Sequence, residues 1–255
     1  MAGEIVSHRL DLAVRLTHAL TGDPVTDDRA MFCRNGKKLI LRLSGGTDWI
    51  GVDTGRQNFV LGVNVRGFEK VFVPVRYERM DLTMPMLEIP LIPEQTEWNQ
   101  SFFVTLEGNL DHLEELQAVP LKGGDLHIIS YQEEERSVFL YNPHKNILRF
   151  STYAVVNQKT LEFEIVTVTK AMPDGSCHLA QGLKKSIDGR SYFSRLVYGS
   201  VSNEGKYRIR IPRSGDEEEW ILRYVVNGKE YFQTTDLKEP VSFTVNKRKS
   251  AGKRG

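Results

Sequence analysis

Cysteine is scarce in this chain of 255 residues, which contains only Cys33 and Cys177. The two lie far apart in sequence, so no disulfide framework is expected, and both are predicted to be buried as small apolar side chains. Long apolar runs are missing as well, since no stretch approaches the roughly 20 residues needed to cross a bilayer. The first residues lack the basic and apolar regions of a signal peptide. We therefore expect synthesis in the cytoplasm and no membrane insertion.

Catalytic signatures are also missing from the sequence. It contains no G-x-S-x-G, G-x-G-x-x-G or C-x-x-C motif, and the glycine spacing around Gly182 does not fit a phosphate loop. His112 and Glu115 form an H-x-x-E pair, but the other histidines are scattered, and zinc needs three or four converging ligands. The sequence predicts no enzyme, no cofactor and no metal site. An enzyme whose site is assembled from residues distant in sequence stays open as an alternative.

Charge is nearly balanced over the whole chain but not along it. The net charge is +1, and without the five cationic residues of the last ten it falls to −4. These five are Lys247, Arg248, Lys249, Lys253 and Arg254. A mildly acidic body argues against nucleic acid as a partner, because binding to phosphates needs a basic surface. Residues 246–255 are predicted to form a flexible basic tail, and Lys247, Arg248 and Lys249 are candidate contacts with a protein partner.

What the sequence does contain is alternation of apolar and polar residues with frequent turns. Residues 205–212 read Gly-Lys-Tyr-Arg-Ile-Arg-Ile-Pro, which predicts a strand with one apolar face and one cationic face in water. Asn35-Gly36 and Asn227-Gly228 each separate two apolar segments and predict tight hairpins. Helix signals are few, and the leucines at 110, 113 and 116 suggest one short helix.

The sequence of the first predicted strand and of the turn after it resembles that of a known domain family. Leu10, Leu12, Val14 and Leu16 alternate and lead into Thr21-Gly22-Asp23-Pro24-Val25. This pattern is similar to the opening of carboxypeptidase regulatory-like (transthyretin-like) β-sandwich domains. The resemblance covers roughly residues 8–93 and continues through Phe59–Val63, Arg66-Gly67-Phe68 and Leu87, Ile89 and Leu91, although the Asp that usually precedes the turn is missing. A generic immunoglobulin-like sandwich is the alternative, and the resemblance concerns fold more than function.

The predicted fold is all-β, with two antiparallel β-sandwich domains of immunoglobulin-like or transthyretin-like type and little helix. The boundaries are 1–93 for the first domain, 94–100 for a polar linker, 101–245 for the second domain and 246–255 for the tail.

From this architecture we expect a non-enzymatic structural protein of a large assembly, with a phage tail or contractile injection particle as the setting and other subunits as partners. The alternative is a carbohydrate-binding or adhesion module, for which Trp49, Tyr77 and Trp98 are the candidate platform residues.

Overall fold

The computed structural model confirms an all-β chain over the residues that it describes. These are residues 9–27, 29–96, 100–122, 126–141, 152–172, 174–202, 204–213, 219–237 and 243. Within these ranges there is no α-helix, and two short 3-10 helices cover Tyr77–Arg79 and Gln100–Phe102. In the same part of the chain, no helix is long and apolar enough to span a membrane.

The first eight strands form two facing four-stranded sheets. They are β1 (Leu10–His18), β2 (Met31–Arg34), β3 (Lys37–Leu39), β4 (Arg42–Ser44), β5 (Asp48–Val52), β6 (Phe59–Asn64), β7 (Val71–Val75) and β8 (Met86–Leu91). One sheet has the order β4-β5-β1-β8 and the other β3-β2-β6-β7. Inward side chains from both sheets build a shared apolar core. The β1–β8 pair is parallel, which corrects the expectation of purely antiparallel sheets.

The remaining strands contain a closed barrel that the sequence did not predict. They are β9 (Phe103–Asn109), β10 (Leu113–Pro120), β11 (His127–Gln132), β12 (Ser137–Tyr141), β13 (Thr152–Asn157), β14 (Glu162–Ala171), β15 (Ser176–Leu179), β16 (Tyr192–Ser194), β17 (Val197–Tyr198), β18 (Ser200–Val201), β19 (Lys206–Pro212), β20 (Glu219–Val226) and β21 (Lys229–Asp236). The barrel order is β11-β12-β15-β14-β13-β16. Its strands all lie between β10 and β17 in sequence.

The strands on either side of the barrel segment come back together in two further sheets. These have the orders β17-β10-β20-β21 and β18-β19-β9, and their inward side chains share a second apolar core. The barrel is therefore an insertion, and it has its own core, which includes Tyr153, Phe193 and Cys177. Burial raises the pKa of the Cys177 thiol to about 12, so the thiol stays protonated and unreactive at neutral pH.

The local turn predictions agree with the structure, whereas the helix prediction was wrong. Asn35-Gly36 joins β2 to β3 and Asn227-Gly228 joins β20 to β21, with positive φ at all four residues. The segment around Leu113 and Leu116 belongs to strand β10, where pairing with β20 outweighs the leucine spacing.

The apolar cores do not stop at the predicted linker, which lies between β8 and β9. The cluster that contains Leu12 and Ile89 of the first sheets also contains Val119 of β10, Phe163 of the barrel and Ile221 of β20. Of the linker itself, residues 97–99 lie outside the described ranges.

Candidate interaction surface

Strand β4 is an edge strand whose three residues are all exposed. It is the outermost strand of its sheet, with β5 as its one neighbour. An edge strand carries backbone N–H and C=O groups that no neighbouring strand binds, so it offers a template on which an extended segment of a partner can pair.

From Lys38 to Arg42, which spans the end of β3 and the start of β4, the side chains alternate between exposed and more buried positions. Leu41 is buried against Gly51, whose missing side chain leaves room for it: a Cβ on Gly51 would lie 2.8 Å from Leu41 Cδ2. Lys38, Ile40 and Arg42 occupy the alternate positions and are exposed. Ile40 is 71 % exposed and directly follows Leu39, whose register partner is Phe32; Met31, which precedes Phe32, is 62 % exposed.

Lys37 adds a further exposed cation at the hairpin end of β3. We name the set Met31, Lys37, Lys38, Ile40 and Arg42 the edge patch. Its three cations form no ion pair with any residue in the described part of the chain. Apolar contact area beside uncompensated positive charge suits an acidic partner with apolar side chains.

A second group of charges is centred on two buried side chains, Arg223 and Glu115, and it ties the first sheets to the later ones. Arg223 of β20 is 2 % exposed and donates from Nη1 to Glu115 Oε2 at 2.8 Å and to Gln117 Oε1 at 2.6 Å. Arg76, directly after β7, donates to the other oxygen of Glu115 at 2.7 Å. Glu230 of β21 also accepts hydrogen bonds from Arg223.

Burial opposes ionisation of Glu115, but the charges and hydrogen bonds of Arg223 and Arg76 outweigh it and hold the pKa of Glu115 below its ordinary value of 4.5. The carboxylate is therefore ionised at neutral pH, and both of its oxygens are occupied. His112, the other half of the H-x-x-E pair, is exposed in the turn before β10 and has a φ of 60°. No group of three or more metal-ligating side chains is found within the described ranges.

Strand β19 departs from the predicted pattern at Arg210. The sequence pattern places this residue on the solvent-exposed face of the strand, yet it is 2 % exposed. It donates from Nη1 to Glu69 Oε1 and to the carbonyl of Pro93, both at 2.8 Å, and its guanidinium lies 4.3 Å from the ring centroid of Phe103. The residues near the linker thus cover a charge that the isolated strand would expose.

Two of the three predicted platform aromatics, Trp49 and Tyr77, are buried. Trp49 lies in β5, is 5 % exposed and packs against Phe32 at a centroid distance of 5.2 Å. Tyr77 is 7 % exposed, and burial raises the pKa of its phenol. Neither ring offers a face to a sugar. Trp98 lies outside the described residues, as do Lys247, Arg248 and Lys249.

Sequence reasoning missed the edge patch, although a signal for it exists. From Lys38 to Leu43 the chain reads Lys-Leu-Ile-Leu-Arg-Leu, and strict alternation places Ile40 on the same face as Lys38 and Arg42. What the sequence does not indicate is that β3 and β4 belong to different sheets and that each is the outermost strand of its sheet.

Comparison with known proteins identifies no family for this chain. No protein-family model matches the chain, and no curated protein matches its sequence.

Proposed function

We propose that this chain is a non-enzymatic structural subunit of a large protein assembly, and that it joins a neighbouring subunit through the edge patch and strand β4. The observation that carries this proposal is an exposed edge strand with apolar side chains and three uncompensated cations beside it. In this mode the partner adds a strand, its backbone supplies affinity, and its acidic side chains supply specificity.

A more specific interpretation of the fold is consistent with the proposed role as a structural subunit. We interpret each pair of facing sheets as an immunoglobulin-like or transthyretin-like sandwich, the first being the carboxypeptidase regulatory-like module, with the barrel as an insertion in the second. Rigid modules in series fix the spacing between neighbours, which is what a phage tail or contractile injection particle requires of its connecting subunits. The basic tail, with Lys247, Arg248 and Lys249, is a second proposed contact with an acidic subunit.

The test is sedimentation of the native protein from a lysate of its source cells, followed by mass spectrometry of the proteins that move with it. We expect the chain in a particle far heavier than its own 29.1 kDa. The variant with Lys37→Glu, Lys38→Glu and Arg42→Glu should leave the particle fraction, because reversed charges repel an acidic partner strand. Ile40→Lys should weaken incorporation without unfolding the chain, since Ile40 is 71 % exposed.

A matched control reverses three exposed cations elsewhere, with Lys159→Glu, Lys184→Glu and Arg190→Glu. This control should stay in the particle. Wild-type protein that sediments only as a free chain would overturn the assembly proposal, whereas equal incorporation of both triple variants would overturn the role of the edge patch alone.

The carbohydrate-binding alternative keeps a single candidate residue, Trp98, because Trp49 and Tyr77 are buried. A glycan array with wild-type protein and Trp98→Ala tests it. Binding that the substitution removes, with the fold intact, would favour this alternative.

A further inference from the structure

A small cavity lies where the first sheets meet the barrel and the second pair of sheets. Its volume is about 180 Å³, somewhat larger than the roughly 150 Å³ of an engineered apolar cavity that holds benzene. Much of its wall is apolar and is formed by Pro90, Ile92, Leu196, Val197 and Pro212. A single ring or a short branched chain fits this volume.

Trp220 also lines the cavity and brings a hydrogen-bond donor without an acceptor. The residue is 4 % exposed, and its indole Nε1 has no hydrogen-bond partner in the described part of the chain. An indole N–H can only donate, and leaving a buried donor unsatisfied is costly. An acceptor oxygen within hydrogen-bond reach of Nε1 would remove that cost.

Arg195 lines the same cavity and is exposed, and within the described residues its guanidinium forms no ion pair. It lies against the Thr21-Gly22-Asp23 turn, since a Cβ on Gly22 would be 3.0 Å from Arg195 Nη1. The turn that resembles the regulatory-like family thus borders this cation. A guanidinium group binds a carboxylate strongly because it can donate two parallel hydrogen bonds, and both are charge-assisted.

The cavity wall also contains a carboxylate, Glu88, which is 8 % exposed. On the neighbouring strand its register partner is Arg15, whose guanidinium is hydrogen-bonded to Asp48. The pKa of Arg15 is raised mainly by that hydrogen bond, and the nearby charge of Glu88 adds to the effect. Tyr198 in the same wall has a raised pKa because it is buried and lies near Glu115 and Glu88, so it stays a neutral phenol. Arg195 is thus a cation in this wall that forms no ion pair with another described residue.

We propose that the cavity binds a small organic carboxylate with an apolar body of about the size of a benzene ring. Arg195 and the indole N–H of Trp220 donate to the carboxylate, and the proline, isoleucine, leucine and valine side chains enclose the apolar body. This site goes beyond the assembly role and does not depend on it.

Benzoate is the probe that tests the proposal, titrated into the full-length protein and followed by calorimetry and by tryptophan fluorescence. We expect saturable binding to one site. Arg195→Gln should weaken it by about 10- to 100-fold, the loss that accompanies removal of a charge-assisted hydrogen bond. Trp220→Phe keeps an aromatic side chain, although a smaller one, removes the donor and should weaken binding several-fold. The control Arg190→Gln removes an exposed cation outside the cavity and should leave the affinity unchanged.

Toluene, which has the ring without the carboxylate, separates the two parts of the proposal. It should bind more weakly than benzoate. Equal binding of toluene and benzoate, equal affinity of Arg195→Gln and wild type, or no saturable binding of benzoate at millimolar concentration would each overturn the proposal. Thermal unfolding of each variant checks that the fold is retained.

Discussion

Glu115→Ala is expected to destabilise the chain by roughly 3 to 5 kcal/mol, the usual cost of removing one partner from a buried ion pair. The substitution leaves Arg223, which is 2 % exposed, without the acceptor that Glu115 Oε2 provides at 2.8 Å. Arg76 loses its partner too. Since Arg76 follows β7 and Arg223 lies in β20, the contact between the first sheets and the later ones should loosen together with the loss of stability.

Urea unfolding at neutral pH measures this effect, with Glu204→Ala as the control. Glu204 is a carboxylate of the same length that is 75 % exposed and pairs with the exposed Lys206, so its removal should change the free energy of unfolding by at most about 1 kcal/mol. Equal stabilities for the two variants would show that the buried network does not hold the sheets together.

The same carboxylate predicts how stability depends on pH. The folded-state pKa of Glu115 lies below its ordinary value of 4.5. Ionised Glu115 therefore contributes stability that is fully present above pH 4.5 and is lost as the pH falls through the lower folded value. In Glu115→Gln the decline of the unfolding midpoint over this acidic range should be shallower than in wild type. Parallel declines in the two proteins would contradict the prediction.

Gly205→Ala is expected to destabilise the chain by roughly 2 to 5 kcal/mol, because two penalties add. Gly205 has a φ of 77°, a conformation that residues with a Cβ rarely adopt. A Cβ at this position would lie 2.3 Å from the carbonyl oxygen of Leu110, and backbone cannot move aside as a flexible side chain can. Gly205 also accepts a hydrogen bond from the N–H of Leu110 at 3.0 Å, so the turns before β10 and β19 would both be displaced.

Gly228→Ala is the matched control for this prediction. Gly228 has a φ of 68°, and nothing lies within 4 Å of the position that its Cβ would take. It therefore carries the conformational penalty alone, about 1 to 2 kcal/mol. The difference between the two variants in thermal or urea unfolding isolates the steric part. Should Gly228→Ala prove as destabilising as Gly205→Ala, the close approach to Leu110 would not be the cause.

Much of the local structure could be predicted from the sequence, because its signals are local. Alternation identified β1 and β19, the family resemblance pointed to β6 and β8, and the two Asn-Gly pairs identified hairpins, since a type I′ turn needs positive φ at both residues. Part of the candidate surface could be predicted from the sequence, because Lys38, Ile40 and Arg42 alternate with leucines. The cavity between the first sheets, the barrel and the second pair of sheets could not be predicted from the sequence. Trp220 and Arg195 line it together with residues of β8 that are distant in sequence.

The sequence by itself determined that this chain is all-β and where several of its turns lie, because side-chain period and backbone preference act over a few residues. Only the tertiary structure decided that β11 to β16 close into a barrel, that β1 pairs in parallel with β8, and that Arg210 and Arg223 are buried. An alternating strand has the same pattern in a barrel and in an open sheet. Its neighbours, and the partners of its charges, are set by long-range packing that no local window contains.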